Sequence, residues 1–118
     1  MFRKILRLAA WSAVVTITAL SLVPGPLRPH TGAPGYLEHV AAYCITAALF
    51  TLSYPRCNKI VIIVSLSFCA AVLEIGQLYV PGRVTAVPDW IAGSFGALIG
   101  TVASTFILRL WLQLTDET

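Results

Sequence analysis

The sequence predicts an all-α protein, a bundle of four transmembrane helices, and three observations carry that expectation. Of its 118 residues, 58% are hydrophobic and 11% charged, where a water-soluble domain has about a quarter of its residues charged. Mean hydropathy is +0.83, and a chain this short cannot hide so many apolar side chains in one globular core. Four apolar stretches approach the membrane-spanning length of about 20 residues. Pro, Gly and charged residues separate them, and none shows the period-two alternation of a transmembrane strand.

The first stretch, Ile5 to Val23, follows Arg3 and Lys4 and contains Arg7, which gives it the look of a signal peptide. It nevertheless runs a full membrane width and ends in Pro24-Gly25-Pro26 without a clean A-x-A site, so it is expected to stay as a span. The second stretch is Leu37 to Tyr54, the third Ile60 to Val80 and the fourth Trp90 to Leu114. Together they predict one transmembrane domain over residues 1–118. Segment 24–36 is too rich in Pro and Gly for helix and predicts a semi-rigid irregular loop; segment 81–88 is a shorter version of it. Pro55-Arg56-Cys57-Asn58-Lys59 predicts a tight turn between antiparallel neighbours. Cys44, Cys57 and Cys69 share no C-x-x-C or metal-like spacing and are expected to be small apolar fillers.

Four spans place both termini on one side, and the basic residues indicate which side. Arg3, Lys4, Arg7, Arg56, Lys59 and Arg109 fall with the termini, against Arg28 and Arg83 on the other side. By the positive-inside rule the termini are expected to be cytoplasmic. The net charge of +3 then serves orientation and anionic headgroups, and no nucleic-acid partner is expected.

On this topology Arg28, His30, Glu38, His39, Glu74, Gln77, Arg83 and Asp89 all lie in the outer half, leaving the remaining depth nearly apolar. Glu74 sits about six residues, roughly 9 Å, inside the third helix, a depth at which a carboxylate usually faces the bundle and has a partner. Gln77 follows one turn later on the same face. Arg83 has two readings: a staple that bends back to Glu74, or a guanidinium free for phosphate. Asp89 reads either as the N-cap of the fourth helix or as a site residue, and His39 as an interfacial histidine or an acid–base group. Tyr43 and Thr46 share a stripe with His39 and are expected to hydrogen-bond between helices. Gly93, Gly96 and Gly100 form one face of the fourth helix and read as close packing.

The order Glu74-Ile75-Gly76-Gln77, then Pro81-Gly82-Arg83, then Asp89, then Gly96 and Gly100 resembles the VanZ-like membrane proteins of bacteria. Glu38-His39 followed by Tyr43 is similar to that family's earlier signature, and the likeness covers roughly residues 37–100. Gly93 stands where the family usually has Asn, and Glu38 where many members have Lys. The resemblance implies a place at the outer face of the bacterial inner membrane and a connection with glycopeptide resistance.

These readings lead to one expected function and two rivals. The expected function is binding of an amphiphilic anionic envelope lipid, or a lipid-linked glycan or cell-wall precursor, with Arg83 and Arg28 meeting phosphate. Gln77, Glu74, His39 and Asp89 would line the pocket. One rival is a membrane enzyme using Glu74, His39 or Asp89 as acid or base; the other is a structural or assembly subunit. No nucleophile elbow, metal triad or phosphate loop is present as a sequence motif, so neither cofactor nor metal is expected.

Overall fold

The computed structural model describes residues 1–29 and 31–117; the expectation for His30 lies outside the described residues. The described residues are helical with no strand: α1 Phe2–Leu22, α2 Gly35–Ser53, α3 Lys59–Gly76 and α4 Val87–Asp116. Single tight helical turns follow α1 (Gly25–Leu27) and α3 (Gln77–Tyr79). Three helices, α1, α4 and α3 with its closing turn, are long and apolar enough to cross a membrane. The less apolar α2 carries Glu38 and His39 in its first turns and Tyr43, Thr46, Thr51 and Ser53 in its buried face.

That composition matches its position. α2 packs most extensively on α4, then on α1, and touches α3 as well. Large side chains such as Phe68, Phe95, Val102 and Phe106 point outward, a surface suited to hydrocarbon. The inner faces carry small residues: Ala92, Gly93, Gly96, Ala97, Gly100, Thr101 and Ser104 of α4 are buried, and its three glycines there meet α2. A β-carbon on Gly96 would collide with the Val40 backbone, and one on Gly100 with the Cys44 backbone. In lipid no hydrophobic driving force pulls helices together, so this close backbone approach supplies the dispersion contact that does. Buried hydroxyls on α2 are satisfied within the helix: Thr46 donates to Ala42 O (2.7 Å), Thr51 to Ala47 O (2.8 Å) and Ser53 to Leu49 O (2.5 Å). Thr46 therefore bonds its own helix rather than a neighbour, while the Tyr43 ring lies against Gly93.

The contacts fix an up-down-up-down order. Arg7 and Trp11 of α1 meet Tyr54 and Phe50 at the far end of α2, and Leu22 meets Gly76 at the end of α3. Ser67 bonds Ser94 at 2.7 Å while Glu74, later in α3, accepts from Ala86, just before α4, so α3 and α4 run antiparallel. Segments 23–29, 31–34 and 80–86 thus share one end of the bundle. They are joined there by Gly25 N–H donating to Pro81 O at 3.0 Å. Pro81-Gly82 forms a turn with Gly82 at φ 72°, a conformation that favours glycine.

Helix boundaries differ from the sequence expectation at two informative places. α4 starts at Val87 with Ala86 as its N-cap, because a proline in the first turn loses no helical hydrogen bond. Asp89 is consequently three residues inside the helix and is not its cap. α4 is also 30 residues long, about 45 Å by its rise, against a hydrocarbon core of about 30 Å. Beyond Ser104 it buries no side chain, and Arg109 lies in this exposed extension.

Candidate functional site

The end of the bundle that carries 23–29, 31–34 and 80–86 gathers Arg28, Glu38, His39, Glu74, Gln77, Arg83 and Asp89 into two adjoining clusters. The first surrounds the C-terminus of α1. A helix leaves its last four carbonyls without intrahelical partners, and here side chains from distant segments satisfy three of the oxygens at that terminus. Gln77 Nε2 donates to Ser21 O at 3.1 Å, Arg83 Nε to Val23 O at 2.8 Å, and Arg83 Nη2 to Leu20 O. The guanidinium also complements the negative end of the helix dipole. Burial, followed by the field of Arg28, lowers the Arg83 pKa from its ordinary value, and Glu74 opposes that shift.

Arg28, at the mouth of the first loop, forms an ion pair with Glu38, whose other oxygen accepts from Thr31 Oγ1 at 2.8 Å. Between this pair and α1 lies a cavity of about 400 Å³. Its apolar walls are Ile17, Leu20, Ala41 and Ala42, and its polar margin includes Arg28, Thr31, Glu38, His39, Gln77 and Arg83.

The second cluster lies where α2, α3 and α4 converge. Glu74 is 7% exposed, and its Oε2 accepts the Ala86 N–H at 3.1 Å. Thr85 Oγ1 donates to the Glu74 carbonyl at 3.2 Å, so Glu74 ties the entry of α4 to the end of α3. Its Oε1 faces His39 Nε2 at 3.9 Å, beyond hydrogen-bonding reach. His39 Nδ1 lies 2.7 Å from Gly35 O; a carbonyl only accepts, so Nδ1 carries the proton and Nε2 is the nitrogen turned toward Glu74. Asp89 completes the group: one donor atom from each of His39, Glu74 and Asp89 falls within 4.8 Å of the others.

Of the residues singled out in the sequence, Arg28, His39, Gln77 and Arg83 border the cavity, and His39, Glu74 and Asp89 form the second cluster. Glu74 and Arg83 do not pair: among the described residues Arg83 goes to α1 and Glu74 to Ala86. Gly93, Gly96 and Gly100 lie on the α2–α4 seam. Thr31, with its bond to Glu38, was not anticipated, and no local motif marks it. No family model, curated protein or solved structure matches the chain.

Proposed function

We propose that the chain is a four-span membrane protein, with α2 as its central span and both termini cytoplasmic, that holds an amphiphilic anionic ligand in the cavity beside α1. The cavity carries this reading. At about 400 Å³ it falls within the usual range of small-ligand pockets, roughly 300–1,000 Å³. Leu20 and Ala41 are exposed residues as well as cavity walls, which offers a lipid chain a path from the surrounding hydrocarbon. Arg28 and Arg83 stand together at the polar margin. A guanidinium has five N–H donors, and Arg83 uses two of them on α1. The remaining donors, together with Arg28 released from Glu38, suit a phosphate. The charge distribution supports cytoplasmic termini. The VanZ-like order of Glu74, Gln77, Arg83 and Asp89 supports the outer face of a bacterial inner membrane, a lipid-linked cell-wall precursor as one form of the ligand, and an influence on glycopeptide sensitivity.

The test is lipid mass spectrometry on gently purified protein. The parent chain is expected to retain phosphorylated lipid, and Arg28→Ala to lower that retention about tenfold, the loss of one charge-assisted contact. Equal retention by Arg28→Ala and the parent would sink the proposal. The convergence of His39, Glu74 and Asp89 favours a second reading in which the ligand is chemically altered. A changed headgroup on incubation would establish it.

A further inference from the structure

We propose that His39, Glu74 and Asp89 form a binding site for a divalent transition-metal cation of the zinc or manganese class. The inference goes beyond ligand retention and rests on a different set of atoms.

The three side chains come from three helices and converge within 4.8 Å. The cluster is mixed in chemistry, an imidazole nitrogen and two carboxylates, a donor set that suits divalent first-row cations. Its histidine is prepared in the manner of metal ligands: Nδ1 donates to Gly35 O at 2.7 Å, which orients the ring and leaves Nε2 to face inward. Its buried member has a free oxygen. The Glu74 side chain is nine-tenths buried; its Oε2 accepts the Ala86 N–H, while Oε1 takes no hydrogen bond among the described residues and faces His39 Nε2 at 3.9 Å. The Asp89 carboxylate likewise takes no hydrogen bond among the described residues, although it lies beside Gly35 at the start of α2.

A plain histidine–glutamate ion pair accounts for less of this. The pair would close to hydrogen-bonding distance, and one imidazolium would still face two carboxylates. Neither arginine forms an ion pair with the cluster: Arg28 is paired with Glu38, and Arg83 directs its donors to α1 carbonyls. A divalent cation balances both carboxylates and accepts the imidazole lone pair. Ligand atoms about 2.1 Å from a tetrahedral metal lie about 3.4 Å from one another, so side-chain rotations of roughly an ångström bring the set together. Three protein ligands leave room for water or an anionic oxygen. His39 also borders the cavity.

Full-length protein in detergent, stripped with a chelator, is titrated with Zn²⁺ by equilibrium dialysis and then with Co²⁺ as a spectroscopic probe. About one Zn²⁺ per chain is expected, with visible Co²⁺ absorption characteristic of a low-coordinate site. His39→Ala, Glu74→Gln and Asp89→Asn should each weaken Zn²⁺ binding by about tenfold or more, while Asp116→Asn, remote on α4, leaves it unchanged. Helicity measured on each variant separates ligand loss from misfolding. Absence of stoichiometric binding by the parent chain overturns the proposal whatever the variants do, as does binding that survives all three substitutions. Lipid retention measured on the same samples keeps the two proposals distinct, because metal binding without retained lipid leaves this site standing and removes the cavity's ligand.

Discussion

The two ends of the bundle draw on different residue types, aromatic and basic at one and acidic with arginine and histidine at the other, and close in different ways. At the end with the termini, polar groups finish on near neighbours. Trp11 Nε1 donates to the Tyr54 hydroxyl at 3.1 Å, Arg7 lies 4.8 Å over the Tyr54 ring, and Phe50 packs against both Trp11 and Tyr54. Asn58 accepts the Ile60 N–H at 2.9 Å, and Lys59 Nζ reaches the carbonyls of Pro55 and Cys57 at 3.1 and 3.3 Å. At the opposite end Arg83 and Gln77 secure α1, but Glu74 Oε1 and the Asp89 carboxylate are left facing His39 without hydrogen bonds among the described residues. Saturated contacts hold helices together. Unsaturated acceptors turned toward one another are where a further species can be received.

The largest effect is expected where both ends share a support. Gly96 lies against the Val40 backbone, which cannot rotate aside as a flexible side chain can. Gly96→Val should force α2 and α4 apart and destabilise the fold by about 3 kcal/mol, lowering the thermal midpoint in detergent and disturbing both ends together. A variant as stable as the parent would show that the seam tolerates separation and that the ends stand independently.

A smaller effect, confined to one end, is expected from Arg83→Ala. It removes two charge-assisted hydrogen bonds from the C-terminus of α1, each worth about 1.5–3 kcal/mol when well shielded. Arg83 is only partly buried, so solvent screening reduces the total to about 1–2 kcal/mol. Arg83→Lys keeps the charge but loses the fork and should recover part of the loss. Hydrogen exchange at residues 20–23 should rise in the alanine variant, with the Tyr54 end unchanged. Faster exchange at both ends would erase the distinction between them.

The helical architecture was legible because apolar runs of membrane length, broken by Pro and Gly, constrain the chain locally. α2 shows where that reasoning thins: its polar stripe is intelligible once α1, α3 and α4 surround it. The partner of Arg83 was not legible, since it depends on α1 lying alongside the end of α3, a contact between segments about sixty residues apart. Of the two readings of Asp89, the cap is excluded because Pro88 is admitted into the first turn of α4 and moves the boundary back to Ala86. The meeting of His39, Glu74 and Asp89 had no signature in spacing. It arises from the α2–α4 register, set by the Gly96–Val40 and Gly100–Cys44 contacts, together with the fold-back of 80–86 onto Glu74.

The smallest expected effect examines whether the ends are coupled through α2. Tyr54→Phe removes the hydroxyl that receives the Trp11 N–H while keeping the ring for Arg7 and Phe50. One such bond at a partly exposed site is worth about 0.5–1 kcal/mol, so the thermal midpoint should fall slightly. Zn²⁺ affinity and lipid retention should stay at parental values. His39 and Tyr54 lie toward opposite ends of α2, and the backbone contacts at Gly96 and Gly100 between them resist the sliding that would transmit a change. A shift in Zn²⁺ affinity on Tyr54→Phe would mean that α2 moves as a rigid rod between the two ends, and the contrast between a holding end and a receiving end would give way to a single coupled unit.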